Sequence, residues 1–207
     1  MTFSRPRIKI CGITRPEDAA LAVTLGADAL GFVFWPRSPR ATDADRVRAI
    51  VDRLPPFVAT VGVFVNQPHD DVLETARVAR LTTIQLHGDE DASAYVDSPL
   101  PVIKALPVGE GFSLSAVQDL PARVTPLLDA HDPARRGGTG RVIEWTVAAA
   151  AAKVRPVILS GGLNPENVSD AVAAVGPYAV DVSSGVEASP GVKDENRLRA
   201  FFAALRT

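Results

Sequence analysis

The chain has 207 residues, 46% of them hydrophobic and 22% charged, with a formal net charge of −2. Such a length predicts one domain, residues 1–207, with a sizeable core. The near-neutral balance offers no long-range attraction for nucleic acid or an anionic membrane. No apolar run approaches the roughly 20 residues that cross a bilayer. One cysteine, and an N-terminus without the apolar core of a signal peptide, fit a reducing cytoplasm. The three histidines, His69, His87 and His131, are scattered, and no His/Cys pair has the spacing of a structural zinc site; no metal is expected.

From the N-terminus, a β-rich run at 7–11 meets the capping-box pattern Thr14-x-x-Glu17, which predicts a helix ending at Gly26. Further β-rich runs fall at 28–34, 58–65, 83–86 and 101–105, with helical patterns near 43–54, 69–80, 89–96 and 113–120 between and after them. A sixth run at 124–129 leads into a Gly-rich, charged turn and a helix over 145–153. A seventh, 156–159, is followed by Asn164-Pro165 in cap-then-proline order, which predicts a helix start. The eighth covers 179–182. The last helix spans 194–205, where Leu198, Phe201, Phe202 and Leu205 fall at i, i+3, i+4 and i+7, an apolar stripe that packs on a sheet.

Eight β–α alternations call for a parallel sheet covered by helices. An open doubly wound sheet and a closed (β/α)8 TIM barrel compete, and the regular repeats favour the α/β barrel, minimal in length. In a barrel the active site collects at the C-terminal strand ends. Those ends are Cys11-Gly12, Phe34-Trp35-Pro36, Val65-Asn66, His87-Gly88, Ala105, Asp129, Ser160-Gly161-Gly162 and Ser183-Ser184-Gly185. Glycine lets backbone N–H groups approach an anion, and a helix N-terminus adds a favourable dipole. The turns after strands seven and eight, with Gly137-Gly138-Thr139-Gly140 after strand six, therefore form a candidate phosphate site. Each turn alone is equally well a tight βα connection.

A lone Cys11 is more often a buried filler, and a lone Asp129 more often a cap. At the ends of strands one and six, however, they face each other across the mouth, where one can remove a proton while the other donates one. The helix start near Thr14 is a candidate for lowering the thiol pKa. Arg37 and Arg40, in a loop stiffened by Pro36 and Pro39, suit a carboxylate or solvent. His87 either orients a substrate or caps the next helix, with the cap favoured. Lys9 shares side-chain parity with Cys11, so it points into the barrel, where an acidic partner is expected.

With these residues placed, the chain resembles the phosphoribosylanthranilate isomerases of tryptophan biosynthesis. The resemblance runs from Lys9-Ile10-Cys11-Gly12-Ile13-Thr14 through Val61-Gly62-Val63-Phe64-Val65-Asn66, Gln85-Leu86-His87-Gly88 and Leu127-Leu128-Asp129. It continues in Gly137-Gly138-Thr139-Gly140, Leu159-Ser160-Gly161-Gly162-Leu163-Asn164-Pro165 and Val180-Asp181-Val182-Ser183-Ser184-Gly185. It implies a cofactor-free single-domain barrel, monomer or homodimer, acting on a phosphosugar–anthranilate conjugate by an Amadori rearrangement. It further implies Cys11 as general base, Asp129 as general acid and Arg40 on the anthranilate carboxylate. His87 then orients the substrate, while Gly140, Gly161, Gly162, Ser184 and Gly185 hold the phosphate. The chemistry requires a proton on Asp129 and an anionic Cys11. The chain departs from the family in a basic strand-six loop, 130–136, and in Glu144 before Trp145 where aspartate is frequent.

Two other readings compete. Indole-glycerol-phosphate synthase, a related phosphosugar barrel, relies on catalytic lysines and a longer N-terminal extension, whereas six residues precede the first strand here. A catalytically silent phosphate-binding barrel keeps the Gly turns and needs neither Cys11 nor Asp129.

Overall fold

The computed structural model describes residues 5–109, 111–130 and 145–206. Eight parallel strands, β1 (Arg7–Ile10), β2 (Ala29–Val33), β3 (Ala59–Phe64), β4 (Thr83–Leu86), β5 (Val102–Val108), β6 (Val124–Ala130), β7 (Ile158–Leu159) and β8 (Ala179–Val182), close into a barrel in sequence order. The closing seam pairs Lys9 with Asp181 and Ile10 with Val182. The expected (β/α)8 architecture is therefore the observed one.

Strand alternation sorts the side chains into two cores. Odd-numbered residues of β1–β3, β5 and β6, with Ile158 and Ala179, turn inward, and Val61, Ile103, Ala105, Leu127, Ile158 and Ala179 fill the barrel interior. The alternate positions, among them Ile10, Leu30, Phe32, Phe64, Ile84, Leu86, Leu128 and Leu159, pack outward under the helices. The helices are α1 (Pro16–Leu25), α2 (Ala44–Val51), α3 (His69–Val78), α4 (Ser115–Gln118), α5 (Trp145–Val154), α6 (Val168–Val175) and α7 (Glu195–Ala204). On α7, Leu198 and Phe201 are fully buried, Phe202 nearly so and Leu205 largely so, as their spacing predicts.

Several local expectations are not met. The Thr14–Glu17 capping box does not form: the Thr14 hydroxyl donates to the Gly191 carbonyl at 2.5 Å, Arg15 takes the cap position with Pro16 inside the first turn, and Glu17 accepts from Arg15. Asn164-Pro165 does not start α6. The Asn164 side chain instead accepts from the Glu166 and Asn167 N–H groups, and the helix begins at Val168. After β4 the expected helix is a single 3₁₀ turn, Ala92–Tyr95, and after β5 it shrinks to α4. After β8 the chain forms a 3₁₀ turn, Ser184–Val186, and an antiparallel hairpin, β9 (Glu187–Ser189) and β10 (Val192–Lys193), which the periodicity does not announce.

Candidate active site

One cavity at the C-terminal strand ends is lined by Cys11, Arg40, Gln85, His87, Asp129, Ser160, Gly161, Gly162, Asp181, Ser183 and Ser184, with Trp35 and Leu163 among its walls. Cys11 comes from β1 and Asp129 from β6, both largely buried, at 8% exposure each. Gly140 lies outside the described residues, as does the rest of 131–144.

His87 does not cap a helix. Its Nε2 lies 3.2 Å from Asp129 Oδ2, and its Nδ1 meets Gln85 Nε2 at 2.9 Å. Gln85, His87 and Asp129 therefore form a chain of contacts along one wall. The backbone just after His87 is fastened by Glu90, whose carboxylate accepts from Gly88 N as well as from Asn66 N and Lys104 Nζ. Arg37 is not among the cavity-lining residues.

Arg40 reaches the cavity half-buried and is already clamped. Its Nε and Nη2 donate to Glu187 at 2.8 and 2.6 Å, and among the described residues Nη1 makes no hydrogen bond. Glu187 also accepts from Lys193 Nζ at 2.9 Å. Burial alone disfavours the Glu187 carboxylate, yet the Arg40 hydrogen bonds and the Lys193 charge hold its pKa below the ordinary range. Lys193 donates in addition to the carbonyls of Cys11 at 2.6 Å and Ser183 at 3.2 Å, so β10 is tied beneath the Cys11 main chain. Burial pulls the Lys193 ammonium below its ordinary pKa despite Glu187.

The two glycine turns form a shared rim. Gly161 and Gly162 have φ of +85° and +68°, a conformation that side-chain-bearing residues rarely adopt. Gly185 does not line the cavity. A Cβ there would fall 1.9 Å from the Leu163 carbonyl oxygen, so this glycine lets the β8 turn lie directly on the β7 turn. Because α6 starts at Val168, six residues after Gly162, this rim is built from turn backbone and not from the first turn of that helix.

Lys9 has the expected acidic partner. Its Nζ lies 2.9 Å from Asp181 Oδ1, with both side chains about 95% buried. Burial disfavours the charged Lys9, but Asp181 and Cys11 outweigh it and hold the ammonium pKa above its ordinary value. The sequence reading did not single out Asp181, Gln85, Glu187 or Lys193. Parity in β4 and β8 carried a usable signal for the first two, since a polar residue at an inward position of an apolar strand needs a reason to be there. Glu187 and Lys193 sit on a hairpin with no signature of its own.

A closed parallel barrel with a thiol, an imidazole–carboxylate pair and a glycine-rich rim around one mouth defines a (β/α)8 enzyme of acid–base type. The family model described as N-(5'phosphoribosyl)anthranilate (PRA) isomerase matches residues 8–204. N-(5'-phosphoribosyl)anthranilate isomerase of Pseudomonas fluorescens (strain Pf0-1) is 48% identical over 205 residues, 99% of this chain and all of that protein. The crystal structure of phosphoribosyl anthranilate isomerase from Thermus thermophilus is 46% identical, with a TM-score of 0.88 over 96% of this chain and 98% of that one. A phosphoribosyl anthranilate isomerase solved with reduced 1-(o-carboxyphenylamino)-1-deoxyribulose 5-phosphate is 40% identical, with a TM-score of 0.85 over 97% and 98%. This chain belongs to the N-(5'-phosphoribosyl)anthranilate isomerase family.

Proposed function

We propose that this protein isomerises N-(5-phosphoribosyl)anthranilate to 1-(2-carboxyphenylamino)-1-deoxyribulose 5-phosphate, a step of tryptophan biosynthesis, with Cys11 and Asp129 as the proton-transfer groups. The observation that carries the assignment of roles is their convergence, from β1 and β6, on one cavity rimmed by Gly161 and Gly162. Asp129, with His87 Nε2 at 3.2 Å from its carboxyl group, gives a proton to the ribose ring oxygen as the C1–O bond breaks, and the anthranilate nitrogen lone pair forms the Schiff base. The Cys11 thiolate removes the C2 proton, giving an enolamine. Proton gain at C1 and loss from the enol hydroxyl complete the ketone, so the net change is isomerisation. Arg40 holds the anthranilate carboxylate through the amino group that Glu187 leaves uncommitted. The turns at Ser160–Gly162 and Ser183–Ser184 receive the phosphate. The reading includes a cytoplasmic location and a monomer or homodimer.

The test follows the loss of phosphoribosylanthranilate fluorescence with purified protein. Cys11→Ala and Asp129→Asn each lower turnover by about 10²- to 10⁴-fold, the usual contribution of a positioned acid or base. Binding of a reduced product analogue survives in both. Near-normal turnover in the two variants overturns the assignment. Loss of analogue binding together with turnover leaves the phosphate rim in place of the proton chemistry as what these residues serve.

A further inference from the structure

Cys11 is the sole cysteine of the chain and is buried. A thiol buried among apolar groups is inert, and positive charge beside the sulfur is what turns it into a base. The charged groups around it come from several strands and one loop. Lys193, on β10, spends its three N–H bonds on the carbonyls of Cys11 and Ser183 and on Glu187. Arg40, on the β2–α2 loop, is clamped to Glu187 of β9. His87 and Asp129, on β4 and β6, face the cavity and pair with each other. Asp181, on β8, is an anion and disfavours a thiolate.

Lys9 is different. It lies on β1 itself, two residues before Cys11 and on the same inward face, and among the described residues its one hydrogen bond is to Asp181. Gly31, next door on β2, leaves room for the two side chains to lie together: a Cβ there would come within 2.8 Å of Cys11 Sγ and 3.1 Å of Lys9 Cε. We propose that Lys9 is a positioning residue for the Cys11 base: its ammonium, anchored by Asp181, orients the sulfur and stabilises its negative charge. This rests on the proton-transfer role proposed above for Cys11.

The two buried partners act on the sulfur with opposite sign. Burial pushes the thiol above its ordinary pKa, Lys9 is the leading group pulling it down, and Asp181 pushes it up. Removing Lys9 therefore raises the thiol pKa further, and neutralising Asp181 lowers it.

The test is the pH dependence of Cys11 alkylation by iodoacetamide in the unliganded protein, which reads one sulfur and needs no turnover. In Lys9→Met the midpoint moves to higher pH by about one to three units, the effect of an opposite charge close by. In Asp181→Asn it moves to lower pH. Lys9→Arg, which keeps the charge, stays nearer the parent than Lys9→Met. Circular dichroism and melting temperature establish that each variant is folded. Lys9→Met leaves a carboxylate buried without its cation, so Asp181→Asn alone carries the test if that variant does not fold. A folded Lys9→Met with an unmoved midpoint, or an alkaline shift in Asp181→Asn, overturns the proposal. Midpoints that shift as stated in a protein without isomerase turnover overturn the proposed reaction and leave the Lys9–Cys11 pairing standing.

Discussion

At Cys11 the site imposes two opposed conditions. Proton abstraction from carbon needs an anionic sulfur, and burial of that sulfur favours the neutral thiol. Since burial holds the thiol above its ordinary pKa, only a minor fraction is ionised near neutral pH. The expected outcome is a rate of Cys11 alkylation by iodoacetamide that climbs by about tenfold per pH unit through the neutral range, as for any reaction awaiting one deprotonation. Alkylation rates from pH 6 to 9 check it, and a rate that does not change with pH would show that the thiol is already ionised. Arg40 poses a different problem, because its fork is already occupied by Glu187. Lysine at this position cannot hold Glu187 through two parallel bonds and still present a donor to a second carboxylate. Arg40→Lys is expected to raise KM by about tenfold, one lost charge-assisted hydrogen bond of about 1.5 kcal/mol, with a smaller change in kcat, read from steady-state kinetics.

Among the elements, the β9–β10 hairpin does the least obvious work. Glu187 begins it and Lys193 ends it, and between them they fasten Arg40 and the carbonyls of Cys11 and Ser183. Glu187→Gln leaves Arg40 and Lys193 without their counter-charge, and breaking a buried pair in this way costs about 3–5 kcal/mol. The Glu187 carboxylate is held below its ordinary range in the folded protein. Its contribution is therefore complete above the ordinary carboxylate pKa and is lost as pH falls through the depressed folded value. Urea unfolding of parent and Glu187→Gln proteins is expected to show the full stability gap at pH 7 and a shrinking gap below pH 4. This hairpin also marks where sequence reading runs out. The eight strands, the inward Lys9 and its acidic partner, and the α7 stripe were legible because alternation and helical periodicity are local properties of the chain. The capping box at Thr14 was misread because its hydroxyl goes to Gly191, 177 residues away. Asn164 was misread because its side chain closes a turn on Glu166 and Asn167 before the helix begins. His87 was misread because its partner Asp129 comes from another strand. In each case a long-range or competing polar contact outweighs a local preference worth about 1 kcal/mol.

For the molecule as a whole, stability and chemistry are kept in different places. The chain ends are stitched where β1 meets β8 and where Arg206 donates to the Leu25 carbonyl, and α7 presses its apolar stripe against the outer face of the barrel. The mouth holds the thiol, the carboxylates and the glycine turns, groups that contribute little apolar burial. Phe201 is fully buried on α7, away from the cavity, so Phe201→Ala is expected to cost about 3–5 kcal/mol through lost burial and the cavity left behind. The molecules that remain folded should turn over with parental kcat and KM, because Phe201 is not among the residues that line the cavity. Cys11→Ala removes a single sulfur at the edge of an open cavity, which solvent can fill, and should leave the unfolding midpoint close to the parent while turnover collapses. Denaturant titrations and kinetics on the same two preparations separate these effects. A Phe201→Ala protein that lost kcat in proportion to its stability would show that the outer helical layer tunes the mouth, and the division of labour between barrel wall and barrel rim would not hold.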